Sequence, residues 1–172
     1  MEFFEIPVSL FAGWCFWSLA HNLGHRWWHQ EMRHGKQTFY AHGEREHHRL
    51  YDRPDATTLG AEDPRELFIS FPLPFVAALG VGPVLAYGWL TSWPSAVPFA
   101  AAMYGSMVLD DYLHRRFHRE PHLPGVLGRL QRMHQVHHAT HDRNFFFMTG
   151  LLWDVLFGTA VLKGDTPGRQ TS

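Results

Sequence analysis

The chain has 172 residues, 45% of them hydrophobic and 18% charged, with a net charge of -1, which fits one domain of ordinary size. Its basic residues are scattered and balanced by acidic ones, so bulk electrostatics excludes the usual footprint of a nucleic-acid binder. The single cysteine, Cys15, excludes an internal disulfide and a Cys-x-x-Cys zinc site, so any metal must be held by nitrogen and oxygen.

Phe3 to Ala20 carries only Glu5 as a charge and predicts a first helix, near the lower length limit for crossing a bilayer. No positively charged region precedes it, so it reads as a retained helix and not as a cleaved signal peptide. It is expected to end in the cluster His21-Asn-Leu-Gly-His25. A polar stretch follows with His42 and then Glu44-Arg-Glu-His47-His48. From Leu67 to Leu109 there is no Asp, Glu, Lys or Arg, a run of 43 residues. As one helix that run would be roughly 65 Å long, about twice the hydrocarbon thickness of a bilayer. Gly88, Pro94 and Pro98 near its middle therefore predict two spans joined by a tight turn. The mean hydropathy of -0.22 hides this pattern, because apolar and polar residues are segregated along the chain.

Beyond the hairpin come Asp110-Asp111, His114-Arg-Arg-Phe-His118 and His134-Gln-Val-His137-His138. Asn144 to Leu162 is apolar again, but Asp154 interrupts it and Gly150 and Gly158 weaken it, so it reads as a membrane-interface or bundle-lining helix. The expected fold is all-α: an integral membrane helical bundle of about three spans, one N-terminal helix plus a hairpin, with a helical cap carrying the histidine clusters. Residues 1–163 form that domain and 164–172 a short polar tail.

The 15 Lys and Arg give a separate topological indication: seven lie between Arg26 and Arg65, six between Arg115 and Arg143, and two in the tail. The turn between the central spans has none. By the positive-inside rule both basic segments face the cytoplasm, and they carry or adjoin all four histidine clusters.

Residues three and four apart on a helix share a face, so His21/His25 and His114/His118 can each point at one ion. His134 is a near neighbour of both His137 and His138, which diverge by about 100° and can reach different ions. With 14 histidines in the chain the clusters exceed the four ligands a single zinc site needs and suit a dinuclear centre. Asp110 and Asp111 lie one turn before His114, where either can accept an imidazole N–H or simply end the helix at the membrane surface. His29, His34 and His122 read as surface residues or as residues behind the ligands.

In their order, these clusters resemble the fatty acid hydroxylase superfamily, which includes sterol desaturases, C-4 sterol methyl oxidases and sphingolipid hydroxylases. The pattern there is His-x3/4-His, His-x2-His-His, His-x3-His and His-x2-His-His, split around a transmembrane hairpin. The likeness covers roughly Ala20 to Thr159. It is closest in His137-His138, Asp142-Arg-Asn144-Phe and Trp153-Asp-Val-Leu-Phe-Gly-Thr159. The resemblance implies an integral membrane oxygenase with two iron ions, zinc being able to replace them in purified protein. It implies the use of O2 and two electrons on a C–H bond of a fatty acyl, sterol or sphingolipid-like substrate, by hydroxylation or desaturation. It assigns ligand roles to His21, His25, His47, His48, His114, His118, His134, His137 and His138. Glu44 stands where the family has a histidine and is the tenth candidate, with His42 as its alternative. His42, Asp110, Asp111, His141 and Asn144 are candidates for supporting the ligands. A lipid chain would enter from the bilayer side past Phe117, Phe145 to Phe147 and Trp153.

Neither a Gly-x-Gly-x-x-Gly fingerprint nor a cysteine set for an iron–sulfur cluster is present, so electrons would come from a separate donor of the cytochrome b5, ferredoxin or reductase type. The alternatives are a carotenoid or isoprenoid hydroxylase, and a non-enzymatic membrane metal-binding or transport protein. Against transport, the charge-free central spans offer no ionisable mid-membrane pathway.

Overall fold

Apart from Pro7 in its first turn, the stretch from Glu5 to Arg33 has no proline, and its glycines stand singly, so nothing halts a helix there. The computed structural model describes residues 4–38, 41–42, 45, 47–48, 73–145 and 150–161, with the backbone alone for 73–79. In it α1 runs Glu5–Arg33, 29 residues, and does not stop at the His21/His25 cluster as the sequence pattern suggests. The reason is that a four-residue histidine spacing is itself a helical period. The terminator is Gly35, in the left-handed region at φ +67°, whose N–H donates to the Met32 carbonyl.

The charge-free run folds into α2 (Leu73–Leu90) and α3 (Trp93–Arg119), a hairpin closed by Thr91 and Ser92. Ser92 caps α3 by accepting from the Ser95 N–H at 3.3 Å, and Pro94 sits in the first turn, where its missing N–H leaves no bond unmade. Gly88 leaves room for the Trp93 ring, since a β-carbon there would come within 2.7 Å of it. Both α1 and α2 pack on α3. Trp17, Phe99 and Met103 form the centre of that contact, with Tyr87 stacked on Phe99 at 4.3 Å between ring centroids.

Beyond α3, the chain turns at Glu120-Pro121 into α4 (Gly125–Thr140). Gln131 holds this turn closed: its amide nitrogen donates to the Phe117 and Glu120 carbonyls at 3.0 and 2.5 Å, and its oxygen accepts from the Leu123 N–H at 3.0 Å. The last element, α5 (Leu151–Leu156), lies against α1, where Trp153 Nε1 donates to Ser18 Oγ at 2.9 Å.

All elements among the described residues are helices, as the all-α reading requires. The expected spans are a different matter: among these residues no helix is long and apolar enough to cross a membrane. The turn at Thr91–Ser92 divides the charge-free run, α3 is apolar only as far as Leu109, and α1 carries His21, Asn22, His25 and Arg26 in its second half. Of the helix expected over Asn144 to Leu162, the described residues form Leu151–Leu156, which ends just before Gly158 in the left-handed region at φ +69°. The tail at 164–172 lies outside the described residues.

Candidate metal centre

The second half of α1 carries His21, His25 and His29 on one buried face. The end of α3 supplies His114 and His118, and α4 supplies His134, His137 and His138. His47 and His48 come from the segment between α1 and α2.

These side chains gather into two adjoining groups. In the first, one ring nitrogen each from His47, His114, His118, His134 and His138 lies within 4.8 Å of all the others. The Nε2 atoms of His114 and His118 are 3.0 Å apart, those of His118 and His134 2.9 Å, and those of His134 and His138 3.1 Å. The second group is His25, His29 and His137, with the Nε2 atoms of His25 and His29 3.1 Å apart. His48 lies between the groups: its Nε2 is 3.3 Å from that of His29, and its ring is 4.5 Å from that of His138.

Such spacings fit metal ligation. An ion about 2.0–2.1 Å from two imidazole nitrogens separates them by roughly 3.0 Å at a right angle and roughly 3.4 Å at the tetrahedral angle. The protonation state also fits. Burial above all, then the proximity of other imidazoles, holds His114, His118, His134 and His137 well below the ordinary value of 6.5, so each ring is neutral at pH 7. For His137 the tautomer follows from its partner. The Arg143 carbonyl, 2.9 Å from Nδ1, can only accept, so Nδ1 carries the proton. That leaves Nε2 with a bare lone pair, buried and without a hydrogen-bond partner, in the second group. A buried, unprotonated imidazole nitrogen of this kind is the form in which histidine ligates a metal.

The family model for fatty acid hydroxylases matches residues 14–159, from the middle of α1 to just past α5. The chain belongs to the fatty acid hydroxylase family. This places it in the fatty acid hydroxylase/sterol desaturase superfamily, a group of metal-using oxygenases, and makes oxidoreductase its chemical class. Comparison with curated proteins and with solved structures gives no match.

Within this hydroxylase-family chain, the structure brings together eight of the ten candidate ligands: His25, His47, His48, His114, His118, His134, His137 and His138. His21 stands outside both groups, stacked on Trp17 at 5.5 Å and 6° between ring planes. Glu44 lies outside the described residues, and its alternative His42 is exposed and in neither group. Asp110 is buried and accepts from Trp17 Nε1 at 2.7 Å, so it supports the ring beneath His21. Asp111 pairs with Arg115 at 2.6 Å on the exposed side of α3. His141 ends α4 in the left-handed region, its ring 4.3 Å from that of His48. Asn144 bridges the Met133 carbonyl and the Val161 N–H at 3.0 and 2.7 Å. Of the aromatic residues, Phe145 closes one side of the second group, with its ring 5.6 Å from those of His29 and His137, and Phe117 lies 6.0 Å from His134. Phe146 and Phe147 lie outside the described residues.

Of the two places the sequence reading gives His29, at the surface or behind the ligands, burial excludes the first. It is fully buried and central to the second group. The signal was present: His25-x3-His29 repeats the spacing of His21-x3-His25, and the helix carries both. Arg26 and Asp154 form an ion pair outside the histidine clusters. Asp154 is fully buried, and its Oδ1 accepts from Arg26 at 3.3 Å, Thr159 Oγ1 at 2.5 Å and the Phe145 N–H at 3.2 Å. A lone carboxylate in an apolar segment is the available clue, since such groups are buried only when paired.

Proposed function

We propose that this protein is a membrane-embedded di-iron oxygenase that hydroxylates or desaturates a lipid C–H bond with O2 and two electrons. The observation that carries the reading is the convergence of neutral imidazole nitrogens from α1, α3, α4 and the 47–48 segment into two adjoining groups, inside a match to the hydroxylase family.

Embedding in a bilayer is supported by the surface of α1, α2 and α3 away from the histidines. Phe11, Val81, Leu85, Trp89, Val97 and Val108 are all exposed there, Trp89 at 81%. An apolar surface of this kind calls for lipid or protein cover. The charge-free run and the basic segments around the clusters support histidines at the cytoplasmic face.

Iron, when bound, supplies the chemistry that activates O2 toward a C–H bond. His47, His114, His118, His134 and His138 would hold one ion, and His25, His29 and His137 the other, with His48 between them. Hydroxylation balances as R–H + O2 + 2 electrons + 2 protons giving R–OH + H2O. The chain's own part is to keep the rings neutral by burial, to fix His137 as the Nδ1–H tautomer, and to exclude water with Phe117 and Phe145. Electrons come from a separate redox partner of the cytochrome b5, ferredoxin or reductase type.

The test is metal per chain and lipid oxidation in detergent-purified protein, wild type against His137→Ala. About two iron ions in wild type, fewer in the variant, and an oxidised lipid with a reductant present are expected. No metal uptake after anaerobic Fe(II) reconstitution would remove the oxygenase reading.

A further inference from the structure

Asp154 and the histidine groups are joined by a path of hydrogen bonds that the ligand pattern does not include. After α4, the chain reverses through His141 and Asn144, both in the left-handed region at φ +60° and +49°. Non-glycine residues hold such a conformation only where their surroundings fix it. The fixing contacts are all present. Asn144 bonds the Met133 carbonyl and the Val161 N–H through its side chain, and its own N–H donates to the Thr159 carbonyl at 3.0 Å. The next N–H, that of Phe145, donates to Asp154 Oδ1 at 3.2 Å. Asp154 is held in turn by Thr159 Oγ1 and Arg26, and its carbonyl accepts from the Thr159 and Ala160 N–H groups at 2.8 and 3.1 Å. Arg26 stays in register on α1 through Asn22 Oδ1 at 2.7 Å, one residue from His25.

The consequence falls on the residue just before Asn144. The Arg143 carbonyl, carried by this anchored reversal, is the group that accepts the His137 Nδ1–H. Phe145, on the other side, packs its ring against His25, His29 and His137.

We propose that Asp154 is a positioning residue for His137: by holding the Phe145 N–H it keeps the Arg143 carbonyl on Nδ1, so that Nε2 presents its lone pair to the His25/His29 group. The inference rests on the metal-centre reading and adds to it a selective dependence. Asp154 serves the second group, whereas the five-histidine group is built from α3, α4 and His47 and does not use this path.

Anaerobic Co(II) titration of the detergent-purified full chain, followed by visible absorbance, tests it. Wild type takes up about two ions. Asp154→Ala is expected to keep one at wild-type affinity and to bind the other roughly ten- to a hundredfold more weakly, the usual effect of removing a partner behind a ligand. Asp154→Asn keeps an oxygen for the Phe145 N–H and is expected to bind both ions as wild type does, while melting at a lower temperature for want of the Arg26 pair. If Asp154→Ala does not fold, Asn144→Gly loosens the same reversal without backbone strain and gives the same selective loss. Unchanged binding of both ions in Asp154→Ala or Asn144→Gly overturns the proposal. So does parallel loss of both ions in a folded variant, or equal weakening by Asn and Ala. Wild type that binds no Co(II) fails earlier, at the metal-centre reading, and takes the inference with it.

Discussion

Gly13 of α1 meets Phe99 of α3 so closely that a β-carbon at Gly13 would lie 2.1 Å from the Phe99 carbonyl oxygen and 3.2 Å from the Ala102 β-carbon. The obstruction is backbone, which cannot swing aside as a side chain would. Gly13→Ala is therefore expected to destabilise by about 1–3 kcal/mol, the usual penalty for overpacking a fitted contact. Gly105, exposed on the same α3 with nothing within 4 Å of its would-be β-carbon, is the control. Gly105→Ala is expected to stabilise by roughly 0.5–1 kcal/mol through helix propensity and unfolded-state entropy. Thermal unfolding of both variants checks the pair, and equal behaviour would contradict the close crossing.

Metal content should follow the geometry of α1 and not its first histidine pair. His29→Ala is expected to reduce metal per chain as much as His25→Ala. His21→Ala and His42→Ala, both outside the two groups, are expected to retain it. Elemental analysis of the four variants decides this, and loss in His21→Ala with retention in His29→Ala would contradict the arrangement.

Gln131 closes the α3–α4 turn with three bonds, two of them buried, and that turn sets His118 beside His134. Gln131→Leu keeps the bulk but leaves a buried N–H and two carbonyls without this partner. An expected loss of about 2 kcal/mol or more follows from that desolvation. Chelator competition should show weaker metal retention alongside the lower melting temperature.

The metal-free protein should lose stability in acid, and the sign follows from the direction of the shifts. His114, His118, His134 and His137 have folded values well below the unfolded 6.5, so below that value the unfolded chain binds more protons than the folded one. Their contribution is fully present well above about pH 6.5 and falls away as pH drops through it. Melting temperatures in chelator are expected to fall from pH 7.5 to 6.5, where the unfolded imidazoles are half protonated, and to fall more steeply from pH 6.5 to 5.5. A constant melting temperature would contradict neutral burial of these rings.

Much of this architecture is legible in the residues. The hairpin follows from a charge-free run too long for one helix, and the histidine groups follow from repeated three- and four-residue spacings. Helix ends are less legible: α1 passes through two histidine clusters because imidazoles at helical spacing carry no stop signal, and only Gly35 does. His29 is missed for the same reason, since ending the helix early removes it from the face it shares with His25. The network around Asp154 is hardest to read, because its partners Arg26, Phe145 and Thr159 come from three separate segments and no local period links them.

The unbroken course of α1 makes it a lever. His25 lies twelve residues beyond Gly13, about 18 Å along the axis at the usual rise. A tilt of about 5° at the Phe99 crossing would carry His25 sideways by roughly 1.6 Å, most of the length of a metal–nitrogen bond. The angular tolerance of the histidine cage is thus set far from it, by how flatly one glycine lets two helices lie together.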